Sequence, residues 1–129
     1  MTFVLDTSAY SAFERNDDRL RKYFKSVNDI VVPLVVVGEL RAGFAAGNKR
    51  AQNEQLLRRF LDSPNVQLAG ITDRTTQVFA DIYLELRRAG TPIGTNDLWI
   101  AAIAVELDLD ILTMDKDFGH IRGLKRLKI

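Results

Sequence analysis

Four short apolar runs, Phe3-Val4-Leu5, Ile30-Val31-Val32, Val66-Gln67-Leu68-Ala69 and Asp110-Ile111-Leu112-Thr113, punctuate the chain. The longer stretches between them carry apolar residues three or four apart. Short apolar runs read as buried strands and the intervening period as helix. Strands that alternate with helices in this way predict a parallel α/β sandwich. At 129 residues the chain is long enough to bury a substantial core and reads as a single domain spanning 1–129.

Taken in order, the first run ends in Asp6-Thr7-Ser8, a polar group suited to capping a helix. Tyr10, Phe13, Leu20, Tyr23 and Phe24 then keep helical spacing up to Asn28-Asp29. Pro33 suits the first position of a helix, where its missing N–H has no partner in any case. The β-branched Val35-Val36-Val37 argues for a longer strand instead, but the spacing of Val35, Val36, Glu39, Leu40 and Gly43 predicts helix from about Pro33 to Ala46. Leu56, Leu57, Phe60 and Leu61 mark the next helix, which stops at Ser63-Pro64-Asn65. Thr72-Asp73 opens a longer one, striped by Val78, Phe79, Ile82, Tyr83 and Leu86 and closed at Ala89-Gly90. The last begins in Gly94-Thr95-Asn96-Asp97-Leu98-Trp99-Ile100-Ala101-Ala102, which is apolar nearly all round after Asp97 and therefore central. With Thr95 or Asn96 as its cap, Asp97 falls in the first turn, where the helix dipole favours the ionised carboxylate.

Composition removes several chemistries. There is no cysteine, hence no disulfide, thiolate nucleophile or cysteine metal site, and only one histidine. The formal net charge is +1, so any basic surface for a nucleic acid is local. Met1-Thr2-Phe3-Val4-Leu5 lacks the basic n-region and long apolar stretch of a signal peptide, and no apolar run nears the roughly 18 residues of a membrane helix. The expectation is a cytoplasmic protein with no membrane association.

In a parallel sheet, residues just beyond the carboxyl ends of the strands converge on one edge. Asp6 follows the first strand and Asp115 the fourth, and the Asp97 helix runs down into that fourth strand, so it begins at the same edge. Glu39 lies about 9 Å along the helix from Pro33, with its side chain leaning back toward the helix start. Close carboxylates repel by a few kcal/mol per pair at an effective dielectric of about 20, so a cation should compensate them. Oxygen-only ligands suit Mg²⁺ or Mn²⁺ rather than zinc.

Val4-Leu5-Asp6-Thr7-Ser8, Gly38-Glu39-Leu40-Arg41-Ala42-Gly43, Asn96-Asp97-Leu98-Trp99-Ile100-Ala101-Ala102 and Leu112-Thr113-Met114-Asp115-Lys116-Asp117-Phe118 span the chain in that order. Together they resemble the motifs of PIN-domain ribonucleases, specifically the VapC-type toxins of toxin-antitoxin pairs. The resemblance implies a PIN-like sandwich on a central sheet of four or five short parallel strands. It further implies metal-dependent endoribonuclease activity, a homodimer, and silencing by a cognate VapB-type antitoxin. Residue by residue, it implies that Asp6, Glu39, Asp97 and Asp115 are the catalytic, metal-binding acids, with Asp117 sharing or replacing the role of Asp115. Thr7, Ser8, Asn96 and Thr113 match polar positions that hydrogen-bond around such a site.

On that reading, Mg²⁺ or Mn²⁺ held by the acids lowers the pKa of a water and stabilises the oxygen leaving an RNA phosphate. The positive surface RNA needs has candidates in Arg15, Arg19, Arg21, Lys22 and Lys25, in Arg41, Lys49 and Arg50 near the second acid, and in the basic end with Arg122, Lys125, Arg126 and Lys128. Trp99 reads as core or dimer interface, and Tyr10 and Phe13 as core. His120 and Ser8 make no hydrolase, because the chain has no G-x-S-x-G elbow. Two readings from other classes stand beside the nuclease. One is a catalytically inactive PIN-like binding module, which Asp6→Ala separates from an enzyme by its effect on growth arrest. The other is a phosphotransfer or phosphatase domain using Asp6, which lacks the second aspartate two residues on, where Ser8 stands.

Overall fold

The computed structural model describes residues 1–129. The strands are β1 (Thr2–Leu5), β2 (Asp29–Pro33), β3 (Val66–Ala69) and β4 (Asp110–Leu112). Six helices separate them: α1 (Thr7–Glu14), α2 (Asp18–Ser26), α3 (Leu34–Ala46), α4 (Arg50–Leu61), α5 (Asp73–Ala89) and α6 (Thr95–Glu106). A short 3-10 helix, Lys116–His120, follows β4. All strand pairs are parallel, in the order β3-β2-β1-β4. Beyond β4 the tail adds one parallel bridge, Ile111 to Arg126, through Ile111 N–H to the Lys125 carbonyl (2.9 Å) and Leu127 N–H to the Ile111 carbonyl (3.0 Å). The sheet therefore has four strands and the trace of a fifth.

This order puts the site where it is. The chain builds outward from β1 through β2 to β3, then returns across the sheet to lay β4 on the other side of β1. The reversal opens a crevice between the carboxyl ends of β1 and β4. Phe3, Val4 and Leu5 of β1 are fully buried, as a strand covered on both faces must be. Ile100 and Ala101 to Ala104 make α6 apolar around most of its circumference, and they belong to the same core cluster as β1 or lie buried beside it. Trp99 stacks on Phe79 of α5, ring centroids 3.9 Å apart, so its indole serves helix packing.

Three local expectations are corrected. The first helical pattern is two helices, broken at Arg15-Asn16-Asp17. Asn16 takes a left-handed backbone (φ 61°) and the Asp17 carboxylate accepts the Arg19 N–H at 3.0 Å as the new cap. The apolar spacing hid the break because both helices face one core, Phe13 stacking on Phe24 at 4.0 Å. Pro33 is the last residue of β2, paired with Ala69, and caps α3 rather than starting it. The cap of α6 is Gly94, not Thr95 or Asn96; its carbonyl accepts the Leu98 N–H at 3.0 Å.

Candidate active site

Asp6 is the centre of the crevice. It directly follows β1, its N–H donates to the Leu112 carbonyl of β4 at 3.0 Å, and its own carbonyl accepts the Tyr10 N–H to start α1. Only 3% of Asp6 is exposed. Two hydroxyls converge on its Oδ2, Ser8 Oγ at 2.7 Å and Thr113 Oγ1 at 2.6 Å. Each hydroxyl has one proton, so both act here as donors to the carboxylate. Their lone pairs are taken up by backbone amides: Met114 N–H donates to Ser8 Oγ at 2.9 Å and Asp115 N–H to Thr113 Oγ1 at 3.0 Å. Two amide–hydroxyl–carboxylate chains thus end on one oxygen, each link polarising the next. Burial pushes the Asp6 carboxyl above its usual range, while the Thr113 and Ser8 hydrogen bonds oppose the rise.

Glu39 comes from the second turn of α3. Its Oε1 accepts from Thr7 Oγ1 at 2.7 Å and its Oε2 from Asn96 Nδ2 at 3.4 Å, so one carboxylate joins the starts of α1 and α6. That contact also explains the α6 cap, because the Asn96 amide points to Glu39 rather than back to its own helix. Asp115 precedes the 3-10 helix and caps it, Oδ1 accepting the Asp117 N–H at 2.9 Å. Asp117 itself is exposed.

Asp97 sits half-buried in the first turn of α6 and is pushed up to about 6, first by burial and then by the charges of Asp6, Asp115, Glu39 and Asp117. Burial and four like charges act on Asp97 against the helix dipole, a terminus worth typically 0.3–1 kcal/mol. The rise also shows that all five acids share one electrostatic neighbourhood. No ion pair in the molecule involves any of them. Nor is any group of three carboxylate or imidazole side chains drawn in to a metal-ligating cage. The arrangement is an uncompensated, oxygen-only pocket of negative charge whose most buried member is fixed by hydrogen bonds.

The other residues singled out in the sequence lie elsewhere. Arg41 donates through Nε and Nη2 to both oxygens of Glu54, each at 2.9 Å, and so clasps α3 to α4. Lys49 and Arg50 are exposed at the start of α4. His120 lines a surface cavity with Asp81, Glu85 and Arg88 of α5, away from Ser8. Sequence reasoning missed the roles of the Met114 and Asp115 amides, which no residue type announces. The signal available was the hydroxyl at Thr113, placed level with Asp6 by the Leu5–Leu112 register.

A family profile described as "PIN domain" matches residues 3–124. Among curated proteins, the chain is 32% identical to ribonuclease VapC4 of Mycobacterium tuberculosis, over 98% of this chain and 95% of that protein. It is 26% identical to ribonuclease VapC5 of the same organism, over 98% and 92%. Among solved structures it superposes on VapBC2 of Rickettsia felis bound to a promoter DNA fragment, with a TM-score of 0.87, 25% identity and 98% of each chain covered.

Proposed function

The chain belongs to the PIN-domain family, among the VapC ribonucleases, and on that premise we propose that it is a divalent-metal-dependent endoribonuclease acting as the toxin of a type II toxin-antitoxin pair, with a VapB-type antitoxin as its partner. The observation that carries the catalytic part is the meeting of Asp6, Glu39, Asp97 and Asp115 at the β1/β4 crevice with no cationic side chain paired to any of them.

The donors fit a hard cation. Mg²⁺ keeps several waters and is usually bound through one or two carboxylates, so a looser cluster suits it where zinc would need nitrogen or sulfur. Asp6 and Asp97 are the acids we assign to direct contact, with Asp115 and Glu39 completing the field. Asp115 outranks Asp117 because it acts more strongly on Asp97 and is less exposed. When bound, Mg²⁺ or Mn²⁺ would supply Lewis acidity for activating a water and for offsetting charge on the leaving oxygen of an RNA phosphodiester. The chain's own work is positional. Ser8 and Thr113 hold Asp6 Oδ2, Thr7 and Asn96 hold Glu39, and the rigid apolar α6 holds Asp97 at the mouth of the crevice. The rise of the metal-free Asp97 carboxyl to about 6 reflects burial and the same like charges that a bound cation would offset.

Induced expression in bacteria without the antitoxin should arrest growth, and sequencing of RNA 5′ ends after brief induction should reveal discrete new ends. Asp6→Ala should abolish both. Growth arrest that persists with Asp6→Ala, with no new ends in either strain, would instead favour a binding module.

A further inference from the structure

The largest cavity of the molecule, about 660 Å³, does not coincide with the carboxylate crevice but shares a wall with it. Thr113 and Asp115 line both. On its other sides stand four cations, Arg19, Lys116, Arg126 and Lys128. Of these only Arg19 has an ion-pair partner, Asp17 at 2.7 Å; Lys116, Arg126 and Lys128 have none. One crevice therefore gathers acids without cations, and the cavity beside it gathers cations with a single acidic side chain, Asp115.

The tail that carries two of these cations is held in place. Hydrogen bonds of Lys125 and Leu127 to Ile111 pin the tail as an extended segment against β4, and Tyr23 Oη donates to the Lys128 carbonyl from α2. Alternation in an extended segment puts Arg126 and Lys128 on the same side. The Arg126 guanidinium lies against Gly119, where a methyl group would stand 2.9 Å from Nη2 and 3.0 Å from Cζ. That space exists because residue 119 has no side chain.

We propose that this cavity is a second anion site that receives consecutive backbone phosphates of the RNA strand, flanking the one at the carboxylates. The inference rests on the ribonuclease reading for the identity of the strand. Its volume lies within the range of pockets that enclose small organic groups, and it is continuous through Thr113 and Asp115 with the crevice. A strand crossing that wall would meet divalent-metal chemistry on one side and fixed positive charge on the other. Side chains that contact only phosphate give affinity without base preference.

The test uses the full chain carrying Asp97→Asn, so that no cleavage is needed, and a fluorescent single-stranded RNA decamer in the absence of divalent cations. Adding Arg126→Gln and Lys128→Gln should weaken binding several-fold and reduce the slope of log affinity against log salt by about 1.4, two phosphates at about 0.7 each. Arg59→Gln with Arg74→Gln, which removes the same charge from exposed positions of α4 and α5, should leave both quantities unchanged. Should the tail variant fail to fold, Lys116→Gln alone, whose side chain makes no hydrogen bond, should lower the slope by about 0.7. Equal affinity and slope in tail and control variants overturn the subsite even if wild type cleaves RNA. Weaker binding by the tail variant together with a wild type that never cleaves would sustain the subsite and sink the nuclease reading. Inorganic phosphate is the second probe: if it binds as tightly as the decamer, the cavity serves free anions and the RNA assignment falls.

Discussion

At the scale of single residues, Asp97 carries the clearest conflict between stability and the proposed function. Its folded-state pKa near 6 lies above its ordinary 3.8, so between about pH 4 and 6 the folded chain keeps a proton that the unfolded chain has released. Stability from this group is therefore highest below pH 4 and falls as pH rises through 6. Asp97→Asn removes the penalty. In EDTA at pH 7 the variant should be the more stable by about 1 kcal/mol, a figure discounted for solvent screening, with the gap closing toward pH 4. Denaturant melts at the two pH values measure it. Ser8 and Thr113 behave oppositely. Ser8→Ala or Thr113→Val leaves a backbone amide and Asp6 Oδ2 each short of a partner. Either should cost about 1–3 kcal/mol in denaturant unfolding and move the acid limb of the cleavage profile to higher pH, because Asp6 loses a bond that favours its charged form.

Among the elements, the junction of α5 and α6 sets where Asp97 stands. Thr75 is fully buried; its Oγ1 donates to Glu106 Oε1 at 2.6 Å and accepts the Thr72 N–H at 2.9 Å, tying the start of α5 to the end of α6. Thr75→Val should destabilise by about 1–3 kcal/mol, whereas Arg41→Gln, which breaks the half-exposed clasp of α3 to α4, should cost no more than about 1 kcal/mol. Thermal melts that reversed this order would show that the clasp, not the buried junction, braces the site. The limits of sequence reading also lie at this scale. β3 was legible to the residue, because Pro64-Asn65 and Gly70 bracket an apolar run, and α5 because Thr72 and Gly90 cap it chemically. The α1–α2 break was not, since Asn16 interrupts the backbone without disturbing the apolar phase. The Gly94 cap was hidden by two better capping residues, one of which is engaged across the crevice with Glu39.

For the whole molecule, the order β3-β2-β1-β4 turns four acids scattered from residue 6 to residue 115 into one electrostatic site. The convergence was legible because strand ends and helix starts of a parallel sheet share an edge. The field among the acids was not, because burial and distance decide it, and neither leaves a mark on residue type. The same topology places the basic tail beside the acids, so charge is separated across one wall although the chain is nearly neutral. On the proposed function, the unpaired carboxylates exist for a divalent cation that supports RNA cleavage. The most direct measurement is the single-turnover cleavage rate of RNA by purified protein, with Mg²⁺ and with excess EDTA, for wild type and Asp97→Asn. Wild type should cleave in Mg²⁺ alone, with a loss of at least two orders of magnitude on chelation or substitution, about 2.7 kcal/mol of transition-state stabilisation. Wild-type cleavage undiminished by EDTA, or an Asp97→Asn rate equal to wild type, would contradict the proposed function.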